Sequence, residues 1–326
     1  MKKKKVMICV LILLSVCAFI ALWAFHRHMA GDGSIIKIEA DEDKGFFAEY
    51  YLYIPDTLKQ SDDSFLLVEG NNTGFVDDSH EKHAEAAYHT ISSGQAHYFA
   101  KDLGVPLLIP CFDRPETDWE LYTHALDRDT LLNHEGSLNR IDRQLIAMIT
   151  DARAVLAEKN IKVKDKILLN GFSASGSFAN RFTCLYPELV AGVAAGGING
   201  MAILPLEHWN DRELIYPVGV SDLLEVADLK FNLQEFASVP QYYYMGGNDE
   251  NDALPYDDAY SDPERELVSE VLEEDMAIRW EKCKQIYESQ GIRAEFHTYQ
   301  GIGHETTEEV NADIVSFFLK VIEEYK

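Results

Sequence analysis

A serine set among small residues, between an apolar run and a helix-like stretch, is where this sequence could do chemistry. Lys166–Asn170 is strand-like, Gly171-Phe172-Ser173-Ala174-Ser175-Gly176-Ser177 follows, and the spacing predicts a helix from about Ala174 to Tyr186. Strand, tight turn and helix are the setting in which a Gly-x-Ser-x-Gly match carries meaning. A nucleophile on so sharp a turn needs small residues two positions away. Gly171 meets that need. On the far side Ser175 stands where glycine is usual, and Gly176 comes one place later. Ser175 is therefore a rival nucleophile. Ser173 is preferred because the strand ends just before Gly171, which leaves Ser175 half a turn into the helix. The Ala174 N–H, at the helix N-terminus, would face an oxyanion.

A serine hydroxyl is a poor nucleophile until a positioned imidazole takes its proton, and the imidazole in turn needs a carboxylate. The chain holds eleven histidines and 55 acidic residues, so composition alone selects neither partner.

The elements around this turn alternate. Phe46–Ile54, Ser64–Val68, Val105–Phe112, Lys166–Asn170, Val190–Ala195, Gln241–Met245 and Arg293–Tyr299 read as strands. Ser79–Leu103, Leu138–Lys159, Glu264–Gln290 and Thr306–Tyr325 read as helices. Short apolar strands alternating with helices predict an α/β domain, a mostly parallel sheet with helices on both faces. Residues 200–239 break the alternation and are read as a small cap-like insert over the sheet's carboxyl edge.

The first 28 residues differ from the rest. Lys2–Lys5 precede an apolar run from Val6 to Phe25, interrupted only by Ser15. As a helix the run would span roughly 30 Å, one bilayer core. It is read as an uncleaved signal-anchor with its lysines cytoplasmic and the following domain extracytoplasmic. Secretion after cleavage and lipidation at Cys17 are the competing readings. Residues 29–44 are expected to be a linker and 45–326 the folded domain. The net charge of −26, with every acidic residue beyond the anchor, argues against nucleic acid as a partner and for the anchor as the means of holding a membrane. Cys111, Cys184 and Cys283 show neither metal-type spacing nor a disulfide framework, and Cys111 and Cys184 are expected to be buried packing residues.

Gly171–Gly197, with Tyr186-Pro187-Glu188-Leu189-Val190 and Ala194-Ala195-Gly196-Gly197, resembles the elbow, helix and strand block of the α/β-hydrolases. It is most similar to their esterase and polyhydroxyalkanoate-depolymerase-like branch. Leu66–Gly74 and Phe112–Leu131 also resemble membrane-anchored or secreted bacterial hydrolases. The resemblance spans about residues 46–324 and implies the α/β-hydrolase fold with a Ser-Asp-His order along the chain. It maps the acid onto Asp249, after Gly246-Gly247-Asn248, with Asp252 and then Glu250 behind it. It maps the base onto His304, which follows the last strand and Gly303. His297, inside that strand, is read as structural. It maps the second oxyanion donor onto the backbone of Asn72 or Thr73, in the loop Gly70–Gly74.

Arg114, Trp119 and His124, with Arg128, follow a strand's carboxyl end, where α/β folds bind ligands, and are candidates for a substrate pocket. A salt-bridged loop is the alternative. Asp249, Asp252, Asp257 and Asp258 lack EF-hand spacing, so no metal is expected, and the implied chemistry needs no cofactor. The expected activity is hydrolysis of a carboxylic ester on a small-molecule or acyl-ester substrate. A small peptidase or amidase with the same triad, and a non-catalytic surface binding protein, are the alternatives.

Overall fold

Ten strands and ten helices make up the fold of residues 32–58 and 64–326, the residues that the computed structural model describes. The strands are β1 (Gly33–Ile38), β2 (Tyr50–Pro55), β3 (Leu67–Glu69), β4 (Leu107–Pro110), β5 (Ile167–Phe172), β6 (Val190–Gly196), β7 (His208–Trp209), β8 (Arg212–Glu213), β9 (Gln241–Gly246) and β10 (Ala294–Tyr299). Eight of them form one sheet in the order β1-β2-β4-β3-β5-β6-β9-β10, and β7 and β8 form a separate hairpin. Within the eight-stranded sheet only the pairings of β1 with β2 and β2 with β4 are antiparallel. The rest of the sheet is parallel.

The helices are α1 (His80–Ser93), α2 (Gln95–Leu103), α3 (Arg128–Leu132), α4 (Ile141–Glu158), α5 (Ala174–Leu185), α6 (Leu223–Ala227), α7 (Leu233–Ser238), α8 (Asp262–Leu272), α9 (Met276–Ser289) and α10 (Glu308–Glu324). They divide between the two faces of the sheet, and strand alternation sorts the core accordingly. Ile167 and Leu169 of β5 pack with Met148 of α4 and Phe178 of α5. Leu168 points the other way, toward Ile91 of α1, Phe99 of α2 and Phe318 of α10. A sheet covered on both faces is why its central strands read as unbroken apolar runs.

Three expectations change. Residues 33–38, read as linker, form the edge strand β1, antiparallel to β2. The helical stretch 79–103 is two helices, broken at Gly94, whose ψ of 175° is extended; glycine is needed there because a Cβ would fall against the Thr90 carbonyl oxygen. The stretch 264–290 is also two helices, separated at Glu273, whose φ is 77°. Residues 200–239 pack Ile203, Leu204, Tyr216, Val226 and Phe236 into the same core as α4 and α5. Tyr287 of α9 donates to the Ile203 carbonyl at 2.7 Å, and Arg128 pairs with Asp222 at 2.5 Å. The insert is thus tied into the main body.

The expected anchor, residues 1–28, lies outside the described residues. Among the described residues, no helix is long and apolar enough to cross a membrane.

Candidate active site

The parallel strands β3, β5, β9 and β10 bring their carboxyl ends to one edge, and the loops leaving them carry the candidate residues. At the end of β5 the chain turns so sharply that Ser173 takes φ 61° and ψ −127°, a strained conformation for a residue with a side chain. The Ser173 N–H donates to the Gly196 carbonyl at 2.8 Å, and its carbonyl accepts from the Ser177 N–H at 3.0 Å. A side chain at Gly171 would overlap the Ser175 backbone, and one at Gly176 would meet the Gly196 carbonyl oxygen at 2.5 Å. Gly176, one position later than usual, thus allows the helix to approach β6. Ser175 is buried. Its hydroxyl accepts from the Phe172 N–H at 3.0 Å and donates to the Phe172 carbonyl at 2.9 Å. That hydroxyl ties the turn together and faces the backbone.

The loops after β9 and β10 run alongside each other. The Gly247 N–H donates to the Tyr299 carbonyl at 2.7 Å and the Asn248 N–H to the Ile302 carbonyl at 2.8 Å. A Cβ at Gly246 would collide with the Ile302 and Gly303 carbonyls, so glycine is what lets the two loops meet. Their meeting brings Asp249 Oδ2 to 2.9 Å from His304 Nδ1. The Asp249 carboxylate is almost fully buried and the imidazole about a quarter exposed. Asp249 Oδ1 also accepts the Asn251 N–H at 2.9 Å. A carboxylate can only accept, so Nδ1 carries the proton and Nε2 presents its lone pair.

The imidazole packs on the Phe172 ring, centroids 4.7 Å apart, beside the candidate nucleophile. A Cβ at Gly197 would lie 2.8 Å from His304 Cε1, so a glycine after β6 leaves the ring its place. Ser173 Oγ and His304 Nε2 are not hydrogen-bonded to each other in this structure; Nε2 instead lies 3.1 Å from Asn251 Nδ2. Asp252, the second-choice acid, pairs with Arg279 of α9 at 2.6 Å, and Glu250 is exposed.

The loop after β3 is anchored from below by Asn71. Its buried amide donates to the Phe112 carbonyl at 2.7 Å and accepts the Phe112 N–H at 3.1 Å. Asn72 Oδ1 accepts the Gly74 N–H at 3.1 Å, and Asn72 Nδ2 lies 3.5 Å from the Phe172 carbonyl. This sets the loop against the elbow. The N–H groups of Asn72, Thr73 and Ala174 enter no backbone hydrogen bond among the described residues. For Ala174 that follows from its place at the start of a helix.

No protein-family model and no curated protein matches the chain. Solved structures do. A poly(3-hydroxybutyrate) depolymerase from Bordetella parapertussis superposes with a TM-score of 0.56 at 16% identity, over 89% of this chain and 90% of the other. A poly(aspartic acid) hydrolase-1 from Sphingomonas sp. KT-1 does so with a TM-score of 0.55 at 14% identity, over 88% and 97%. An S-formylglutathione hydrolase from Agrobacterium tumefaciens gives a TM-score of 0.52 at 10% identity, over 90% and 96%. The chain has the α/β-hydrolase fold.

Within that α/β-hydrolase fold the three expected pocket residues part company. His124 is fully buried, its Nε2 2.9 Å from the Phe112 carbonyl and 3.1 Å from Asn71 Nδ2. Burial holds its pKa down to about 3, so it is a neutral support under two loops and cannot line a pocket. Arg114 is also buried, bonded to Asp258 at 2.5 Å and stacked 3.6 Å from the Tyr122 ring centre. It joins the loop after β4 to the acidic loop after β9, which is the salt-bridged alternative. Trp119 is 43% exposed and lines a surface cleft of about 740 Å³ with Leu121, Asp129 and Leu132. Cys111 and Cys184 are buried and free. Among the described residues no cluster of three or more His, Cys, Asp or Glu is arranged to hold a metal ion.

Two residues at this edge of the α/β-hydrolase fold were not legible in the sequence. Glu69 ends β3 opposite Asn170 of β5, and the Asn170 amide donates to its carboxyl. Burial raises the Glu69 pKa to about 7, and the Asn170 hydrogen bond lowers it only in part. For Asn251, nothing in an acidic, polar loop distinguishes one asparagine along the chain.

Proposed function

We propose that the chain is a serine hydrolase that cleaves carboxylic esters through an acyl-enzyme. The observation that carries this reading is the Asp249–His304 hydrogen bond beside a serine on a strained strand-to-helix turn. Ser173 Oγ attacks the ester carbonyl carbon while its proton passes to His304 Nε2. Asp249 holds the proton on Nδ1 and stabilises the imidazolium. The oxyanion accepts from the Ala174 N–H and from the Asn72 or Thr73 N–H, each typically worth about 3–4 kcal/mol in the transition state. The C–O bond to the leaving alcohol then breaks, and the alkoxide departs with the proton from Nε2. Water, deprotonated by His304, attacks the acyl carbon and releases the acid and Ser173.

The same side chains would serve an amide substrate, so the bond cleaved is tested by comparison. A panel of p-nitrophenyl esters and peptide anilides should show turnover of the esters, lost in Ser173→Ala with its fold intact. Faster turnover of the anilides would assign an amidase. The acidic surface disfavours polyanionic substrates. We also propose that Val6–Phe25 is a signal-anchor holding the catalytic domain outside the cell membrane. Alkaline carbonate should then leave the full chain in the membrane pellet, and release into the supernatant would refute it.

A further inference from the structure

The base of the proposed triad is occupied. His304 Nδ1 faces Asp249 Oδ2 at 2.9 Å, so the ring is protonated there and its one free lone pair is on Nε2. The atom facing Nε2 is Asn251 Nδ2, at 3.1 Å. Chemistry fixes the orientation of this amide. Its NH₂ can donate to the lone pair, whereas its carbonyl oxygen would set two acceptors against each other. The contact is built into the turn, because the Asn251 N–H is held by Asp249 Oδ1 at 2.9 Å. One carboxylate therefore positions both the imidazole and the residue that covers it. Asn251 is itself exposed, and only this side-chain contact keeps it over the ring. Phe172 and Gly197, which also lie against the ring, bring it no side-chain donor or acceptor.

We infer that Asn251 is a positioning residue that caps the general base at rest and must swing away, or turn its amide over, before Ser173 can pass its proton to Nε2. The inference rests on the proposed hydrolase reading and adds a regulatory contact to that site. When Nε2 gains the proton it becomes a donor. The Asn251 oxygen can then accept it, so a turn of the same amide suits either protonation state.

The test is the second-order rate of labelling of Ser173 by a fluorophosphonate in the full-length chain, at a pH above the ionisation of the base. Losing one neutral hydrogen bond that competes for Nε2 should make Asn251→Ala label about three- to tenfold faster than the wild type. Asn251→Asp keeps the size but can only accept. It should favour the imidazolium, moving the labelling profile to higher pH and slowing the reaction at neutral pH. That isosteric variant keeps the test valid if the alanine variant does not fold. A merely structural role for Asn251 predicts slower labelling on truncation. Labelling of Asn251→Ala at or below the wild-type rate, with Ser173 labelled in both, overturns the inference and leaves the hydrolase reading standing. Absence of any Ser173 adduct in either chain overturns both.

Discussion

Glu69 and Asn170 face each other across the parallel pairing of β3 and β5, and the Asn170 amide donates to the Glu69 carboxyl. One residue immediately precedes the Gly70–Gly74 loop and the other the Gly171–Ser173 turn, so the pair joins the bases of two loops of the proposed site. Asn170 Oδ1 is buried without a partner. The folded-state pKa of Glu69, about 7, lies above its ordinary 4.5. A carboxyl raised on folding favours the native state below its unfolded pKa, and that advantage is lost as pH rises through the folded value. Glu69→Gln keeps the shape, removes the charge and can donate to the orphaned Oδ1. It should be more stable than the wild type at pH 8, by about 2–3 kcal/mol at most, with the gain shrinking between pH 7 and 4.5. Urea unfolding across that range measures it. A constant difference would show that Glu69 does not titrate there.

Asn71 spends both ends of its amide on the Phe112 backbone. Asn71→Ala leaves the buried Phe112 N–H unpaired and its carbonyl with His124 alone, which should cost about 1–3 kcal/mol of stability. It should also lower kcat more than it raises KM if the Asn72 and Thr73 amides serve the transition state as proposed. Chemical denaturation and steady-state kinetics report the two effects separately. Unchanged kcat would detach this loop from the oxyanion.

Ser175 is the control for the nucleophile. Its hydroxyl is paired with the Phe172 backbone, so Ser175→Ala should cost about 1–2 kcal/mol and keep most of the proposed hydrolase activity. Gly171→Ala should fail to fold, because a Cβ there would overlap the Ser175 backbone. Loss of activity from a well-folded Ser175→Ala, with Ser173→Ala active, would exchange the two roles.

Behind the acid loop, Arg279 has no exposed surface and pairs with Asp252 at 2.6 Å, while its Nε and Nη1 lack partners. Asp252→Asn would strand a buried guanidinium, with an expected loss of about 3–5 kcal/mol. Because Asp249 stands three residues away on the same loop, activity should fall too, with thermal unfolding as the check. A neutral outcome would mean that the loop is held by the glycine contacts alone.

The elbow was legible because its demands are local. Gly171, Ser173 and the switch from apolar strand to helix all lie within a dozen residues. The alternation of strands with helices made the sheet covered on both faces legible for the same reason. Strand β1 was not legible, since Gly33–Ile38 is short, half-exposed and owes its conformation to pairing with β2. The breaks at Gly94 and Glu273 are single backbone choices inside otherwise helical text. His124 lies in a segment that reads like a ligand-binding edge, yet it supports that edge from beneath. Glu69 and Asn251 act through residues 101 and 53 positions away, and no pattern along the chain records such meetings.

Fluorophosphonate treatment of the full-length chain, followed by peptide mapping of the adduct, tests the account most directly. A single adduct on Ser173 is expected, slowed by orders of magnitude in His304→Ala and strongly in Asp249→Asn. An adduct on another residue, or labelling of Ser173 that is indifferent to loss of His304, would contradict it.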